Sequence, residues 1–236
     1  MNNDSPSGRR PQDTAFFGHP HGLSTLFFTE MWERFSYYSM HAILLFYLID
    51  SFSKGGLGMS TSIATSIVAI YGALIYMSTV IGGFVSDRLL GPRKTVFWGG
   101  VLIALGNFTL VLPLKFVGLY VSIVIIVLGT GFLKPNVSDM VGGLYSKKDD
   151  RRDAGFNIYY MGINIGALLA PFIVGWVGQT YSYHAGFALS TIGMVFGLIQ
   201  YYIGSKKYLG NDGLYPNDPI KPEEKSKVIK QVSWVT

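Results

Sequence analysis

Three ionisable side chains fall within five residues of an otherwise apolar stretch: Glu30, Glu33 and Arg34, followed by Tyr37, Tyr38 and His41. On a helix, spacings of three and four place Glu30, Glu33 or Arg34, Tyr37 and His41 along one face. A second apolar stretch carries Lys134 and Asp139. The planar guanidinium of Arg34 suits a carboxylate, and Lys134 adds a compact second cation. A carboxylate ligand that occupies both cations withdraws them from the glutamates, so ligand binding and proton uptake become linked. This is the outline of proton–anion symport. The same residues could also form a purely structural ion-pair network.

The elements that carry these groups follow from where charge is missing. Hydrophobic residues make up 49 % of the 236-residue chain and charged residues 14 %, against about 25 % charged in a typical soluble domain. Mean hydropathy is +0.34. No Asp, Glu, Lys or Arg occurs over 55–86, 95–114, 116–133 or 154–205, gaps of 32, 20, 18 and 52 residues. About 20 apolar helical residues cross a bilayer core, so the last gap holds two spans. With the stretch that carries Glu30, six membrane helices are expected, near 23–50, 60–86, 96–114, 118–144, 154–178 and 184–204. Residues 1–20 read as an unstructured head, 21–205 as the bundle and 206–236 as a polar linker. The head lacks the apolar core of a signal peptide.

Fifteen of the 19 basic residues fall on one side of such a bundle; Lys54 and Lys115 fall on the other, and Arg34 and Lys134 lie within helices. The positive-inside rule then puts both ends of this chain in the cytoplasm. The pI of about 9.2 is thus a topology signal and not a nucleic-acid footprint. The absence of Cys excludes disulfides, thiolate zinc sites and cysteine nucleophiles. None of the four His residues stands in a zinc-protease or nucleophile motif, so an enzyme is not expected.

Depth along the helices brings further groups into register. Arg34, Tyr76, Lys134 and Asn164 each lie 10 or 11 residues from the cytoplasmic end of their expected helix, about 15 Å deep at 1.5 Å per residue. That is near the midplane, where transporters place substrates. Gly162-x-x-x-Gly166 is a spacing for close helix approach, and Pro113, Pro135 and Pro171 fall within or at the ends of spans.

Four segments together resemble the proton-coupled oligopeptide transporter family of the major facilitator superfamily. They are Glu30-Met-Trp-Glu33-Arg34-Phe35-Ser-Tyr37-Tyr38, Gly82-Gly-Phe-Val-Ser-Asp87-Arg88-Leu-Leu-Gly91-Pro-Arg93-Lys94, Gly129-Thr-Gly-Phe-Leu-Lys134-Pro135-Asn136, and Tyr160-Met-Gly162-Ile-Asn164-Ile-Gly166. The resemblance covers about residues 20–205. It implies an all-α membrane protein whose six-transmembrane-helix bundle is the N-terminal half of a major facilitator superfamily fold. It implies di- and tripeptide import across the plasma membrane, driven by the proton gradient with no cofactor.

By the same resemblance, Glu30, Glu33 and Arg34 serve proton coupling, and Arg34 and Lys134 receive the peptide carboxylate. Tyr37, Tyr38, Tyr76 and Asn164 line the peptide pocket. His41 stands where the family often has Arg, either as a titratable group or as neutral lining. Tyr159 stands where Phe is usual. Asp87, Arg88 and Arg93 match the loop that locks the cytoplasmic face. The implied partners are peptide, protons, the lipid bilayer and a C-terminal six-helix bundle. Two alternatives remain at this point: a truncated, non-transporting peptide-binding or regulatory half, and a family member that moves another small carboxylate or nitrate.

Overall fold

The computed structural model describes residues 13–146 and 148–219, and every regular element among them is helical. The helices are α1 (His21–Ile49), α2 (Thr61–Val85), α3 (Pro92–Val111), α4 (Lys115–Gly143), α5 (Arg152–Ala170), α6 (Trp176–Thr180) and α7 (Tyr183–Tyr208). A π-helical turn, Ser86–Leu90, prolongs α2; another, Pro171–Gly175, joins α5 to α6 in one rod. Six rods result, as expected. Five are long and apolar enough to cross a membrane. The sixth, α1, has 29 residues and owes its lower hydropathy to the charged groups it carries.

Local signals set the ends. Ser60 and Ser182 cap α2 and α7 by accepting the Ile63 and Ala185 amides. Pro92 opens α3 four residues before the expected start. Its fixed φ suits the first helical position, where no N–H is needed. Gly91 makes the preceding turn at φ +82°. The last helix runs to Tyr208, so the bundle extends beyond the expected limit at 205. Pro135 lies inside α4, and Pro171 opens the π-helical turn that bends α5 into α6. Pro113 lies in the α3–α4 connection.

Close approach does much of the packing. A Cβ on Gly166 would stand 2.3 Å from the Met31 carbonyl oxygen, and one on Gly162 3.0 Å from that of Phe27. The expected small-residue pair therefore seats α5 directly on the backbone of α1. The same device joins α2 to α4, where a Cβ on Gly82 would overlap the Gly131 carbonyl. Ser78 Oγ donates across that contact to Val127 O at 2.8 Å. Two apolar clusters fill the bundle. One is built around Leu23, Leu26, Leu133 and Met194, the other around Ile43, Tyr47, Tyr71 and Phe187. α2 and α5 are less covered than α3 and α4.

Residues 1–12 of the expected head and 220–236 of the expected linker lie outside the described residues. Residues 13–20, also assigned to the head, differ from that expectation. Asp13 Oδ2 accepts the His21 amide at 2.9 Å, capping α1, and the buried His19 ring bonds Tyr145 Oη at 2.9 Å. Arg151, held by Asp149, donates to Gly18 O at 3.2 Å. Burial, then Arg151, pull the His19 imidazole below its usual value of 6.5, with Asp149 opposing. Burial pushes the Tyr145 phenol up to about 12.

Two outcomes follow. Because the folded state favours neutral His19, this clasp should hold above pH 6.5 and weaken as pH falls through the lowered value. Amide exchange of residues 16–21 measured from pH 7.5 to 5 should show that loss, and His19→Asn should flatten it. Gly166→Ala should destabilise the bundle by about 1–3 kcal/mol through overpacking, read as a lower thermal midpoint in detergent.

Candidate functional site

The charged groups of α1 lie between the two apolar clusters, near the middle of the helix. Glu30, Glu33 and Arg34 are 1 %, 1 % and 5 % exposed. Glu33 holds Arg34 through two parallel bonds, Nε to Oε2 and Nη2 to Oε1, the latter 2.7 Å. Glu30 Oε1 lies 3.3 Å from the same Nε. One turn on, the Tyr37 ring lies under the guanidinium, 4.8 Å from Cζ to centroid. The guanidinium is thus committed to two carboxylates and a ring. Glu30 Oε2 is buried and has no hydrogen-bond partner.

Lys134 differs. It makes no ion pair among the described residues. Its ammonium lies 4.9 Å from the centre of the Tyr76 ring. Pro135 follows it, and Asn136 donates to Phe132 O at 2.6 Å in the turn where proline removes a backbone donor. α4 therefore presents a cation to α2 and to the open face of the bundle, where Tyr76 is 66 % exposed.

The remaining expected residues divide. Tyr37 and Tyr38 stack edge to face at 5.1 Å, and His41 lies 4.2 Å from Tyr37 and 5.4 Å from Tyr71, ring to ring. His41 Nδ1 bonds Tyr37 O at 3.0 Å. Arg34, Tyr37, Tyr38 and His41 form one continuous face, and Lys134 and Tyr76 form a second pair. Asn164 is exposed on α5 and donates to Tyr160 O of its own helix at 3.0 Å. The geometry does not join it to the others.

Asp87, Arg88 and Arg93 all lie at the turn between α2 and α3, where expected. Arg93 is buried at 9 % exposure rather than displayed.

Sequence reasoning missed Tyr159 as a site residue. It is 3 % exposed, and its phenol faces Glu30, Glu33 and Arg34 from α5. A signal existed: Tyr159, Gly162 and Gly166 follow one another at three and four residues, so they share the face that packs on α1. An apolar groove of about 230 Å³ on the other side of α1, between Trp32, Phe35, Leu169 and Phe196, contains none of the charged groups. Among the described residues no cluster of His, Asp and Glu could hold a metal ion.

Six apolar rods around a buried ion-pair network define a membrane-transport bundle, half of a major facilitator superfamily fold. The sequence model of the POT family matches residues 93–232, and the chain belongs to that family. It is 52 % identical to the di-/tripeptide transporter of Lactococcus lactis subsp. cremoris over 219 residues, which are 92 % of this chain and 44 % of that protein. It is 53 % identical over 220 residues to the uncharacterized transporter YclF of Bacillus subtilis (strain 168), covering 93 % and 44 %. The crystal structure of a peptide transporter POT in complex with sulfate superposes with a TM-score of 0.93 at 51 % identity, covering 100 % of this chain and 48 % of that one. The chain spans about half the length of the relatives it matches.

Removing one member of a buried charge network strands the others, at a cost of about 3–5 kcal/mol. Arg34→Ala should therefore lower stability by about that amount, and Lys134→Ala by much less. Thermal or denaturant unfolding of the two variants in the same detergent checks the contrast.

Proposed function

We propose that this chain supplies the N-terminal six-helix half of a proton-coupled symporter for di- and tripeptides, completed by a second six-helix bundle. The observation that carries this reading is the inequality of the two buried-site cations. Arg34 is held by two glutamates, while Lys134, near the open face, makes no ion pair among the described residues. Relatives named as di-/tripeptide transporters supply the substrate class.

In this mechanism Lys134 receives the peptide carboxylate. The carboxylate also competes with Glu33 and Glu30 for Arg34. A glutamate that loses its hold on Arg34 becomes a buried, unpaired carboxylate, which burial disfavours, so it binds a proton. Peptide and proton then cross together. The proton gradient drives the cycle, with no cofactor and no bond made or broken in the peptide. Tyr37, Tyr38, His41 and Tyr76 line the cavity. The basic end of the bundle faces the cytoplasm at the plasma membrane, where Arg88, Arg93, Lys94, Arg151 and Arg152 accumulate.

The exposed apolar residues of α2, α5 and the π-helical turn after α5, Met77, Val80, Leu168 and Phe172 among them, meet the second bundle or lipid. Alternating access rocks one bundle against the other, so this chain alone should bind weakly and transport nothing.

The test is uptake of labelled dialanine into proteoliposomes, with and without an inward proton gradient, by this chain and by the protein carrying a second bundle. Only the completed protein should respond to the gradient; no response there overturns the reading. In that protein, Lys134→Ala should weaken binding of dialanine by about tenfold or more, the scale of a lost charge pair, while sparing a C-terminally amidated peptide. Glu33→Gln should abolish gradient-driven uptake and leave counterflow exchange intact.

A further inference from the structure

After α7 the chain does not leave the bundle. Residues 210–218 run antiparallel across the α2–α3 turn and bond it at both ends. Gly210 O accepts from Arg93 Nη1 at 2.7 Å, and Gly213 O accepts the Arg93 amide at 2.8 Å. At the far end, Asp87 O accepts the Asp218 amide at 3.0 Å and Asp87 Oδ1 accepts Asn217 Nδ2 at 2.9 Å. Arg88 Nη1 pairs with Asp218 Oδ2 at 3.0 Å. Between these ends the backbone lies on Gly91, where a Cβ would stand 2.8 Å from Tyr215 C. Tyr201 Oη of α7 adds a bond to Arg93 O at 3.0 Å.

These bonds answer specific local needs. Arg93 is the second residue of α3, so its amide has no acceptor within the helix, and the Gly213 carbonyl supplies one. Arg93 and Lys94 also place positive charge at a helix N-terminus, where the helix dipole opposes it. The Gly210 carbonyl offsets this for Arg93. Gly213 reaches the turn at φ +68°, a conformation that other residues adopt at a cost.

We infer that residues 210–218 are a strap that holds the α2–α3 turn, so that the turn moves only when the strap lets go. Asp87, Arg88 and Arg93 are the residues through which it acts. If that turn gates the cytoplasmic face, as the peptide-symport reading has it, the strap ties the gate to the chain that follows residue 219. The strap thereby becomes a restraint on alternating access, built from the polar segment between the bundle and what comes after.

Hydrogen exchange on the protein with its second bundle, in lipid nanodiscs, tests this at two amides. Those of Arg93 and Asp218 have their acceptors across the strap. Both should exchange about tenfold or more slowly than unprotected amides. Asn217→Ala with Asp218→Ala should speed the Arg93 amide by about tenfold, and Gly213→Val, which strains the strap at a positive φ and crowds Pro92 and Arg93, should do the same. Amides inside α3, such as that of Ile103, should not change, which separates strap release from misfolding. An unprotected Arg93 amide in the unaltered protein, or protection that survives both variants, overturns the strap.

Dialanine turnover should change by about threefold or more in the Gly213→Val protein while dialanine affinity stays constant. Lost protection with unchanged turnover overturns its role as a restraint on the gate. If the unaltered protein shows no gradient-driven uptake, the peptide reading fails, and the exchange result still decides the strap.

Discussion

Two carboxylates and a guanidinium share the middle of one apolar helix, and the rest of the bundle is arranged around that expense. Glu30, Glu33 and Arg34 cannot face lipid, because ionised groups at bilayer depth are costly. Each must therefore find its partners within the protein. Adjacent residues on one helix supply most of them, through the paired Glu33–Arg34 bonds and the Glu30 contact one turn earlier. The rest comes from neighbours brought unusually close. Gly162 and Gly166 let α5 rest on the α1 backbone, which sets Tyr159 against Glu30. Apolar clusters close the network off at both ends.

A network of this kind is stable but not saturated. Among the described residues, Glu30 keeps one buried oxygen without a hydrogen-bond partner, and Lys134 makes no ion pair. In the proposed mechanism an anion that enters from the open face meets Lys134 first and then competes for Arg34. The two cations thus have different duties even though both are basic groups at similar expected depth. Arg34 is tied to the glutamates, and in the proposed mechanism Lys134 greets the ligand. On that proposal coupling needs no moving part within the site, only the exchange of one carboxylate for another at a fixed guanidinium.

Much of this was legible in the sequence, for physical reasons. Charge is so costly in lipid that its absence marks the spans. The two charged spots that break the pattern, on α1 and α4, mark the candidate site. The Gly162–Gly166 spacing also announced its helix contact. What the sequence did not yield was partnership. Nothing in the spacing says that Arg34 is occupied while Lys134 is not, since that depends on rotamers and on which helix lies opposite. Asn164 shares the expected depth but turns to its own backbone. Tyr159 is readable from the face it shares with Gly162 and Gly166, but a Tyr where Phe is usual does not by itself reveal a phenol set against Glu30. The polar residues after Ser205 looked like a linker because turn-forming composition does not reveal what a turn rests on, and here it rests on Arg93 and Asp87.

The central claim is that a ligand carboxylate displaces glutamate from Arg34 and so loads a proton. Calorimetric titration of dialanine into the protein with its second bundle, repeated near pH 7 in buffers of different ionisation enthalpy, measures the protons taken up per peptide bound. The claim predicts net proton uptake that disappears in the Glu33→Gln protein with Glu30→Gln. Peptide binding with no proton exchange in the unaltered protein would contradict it.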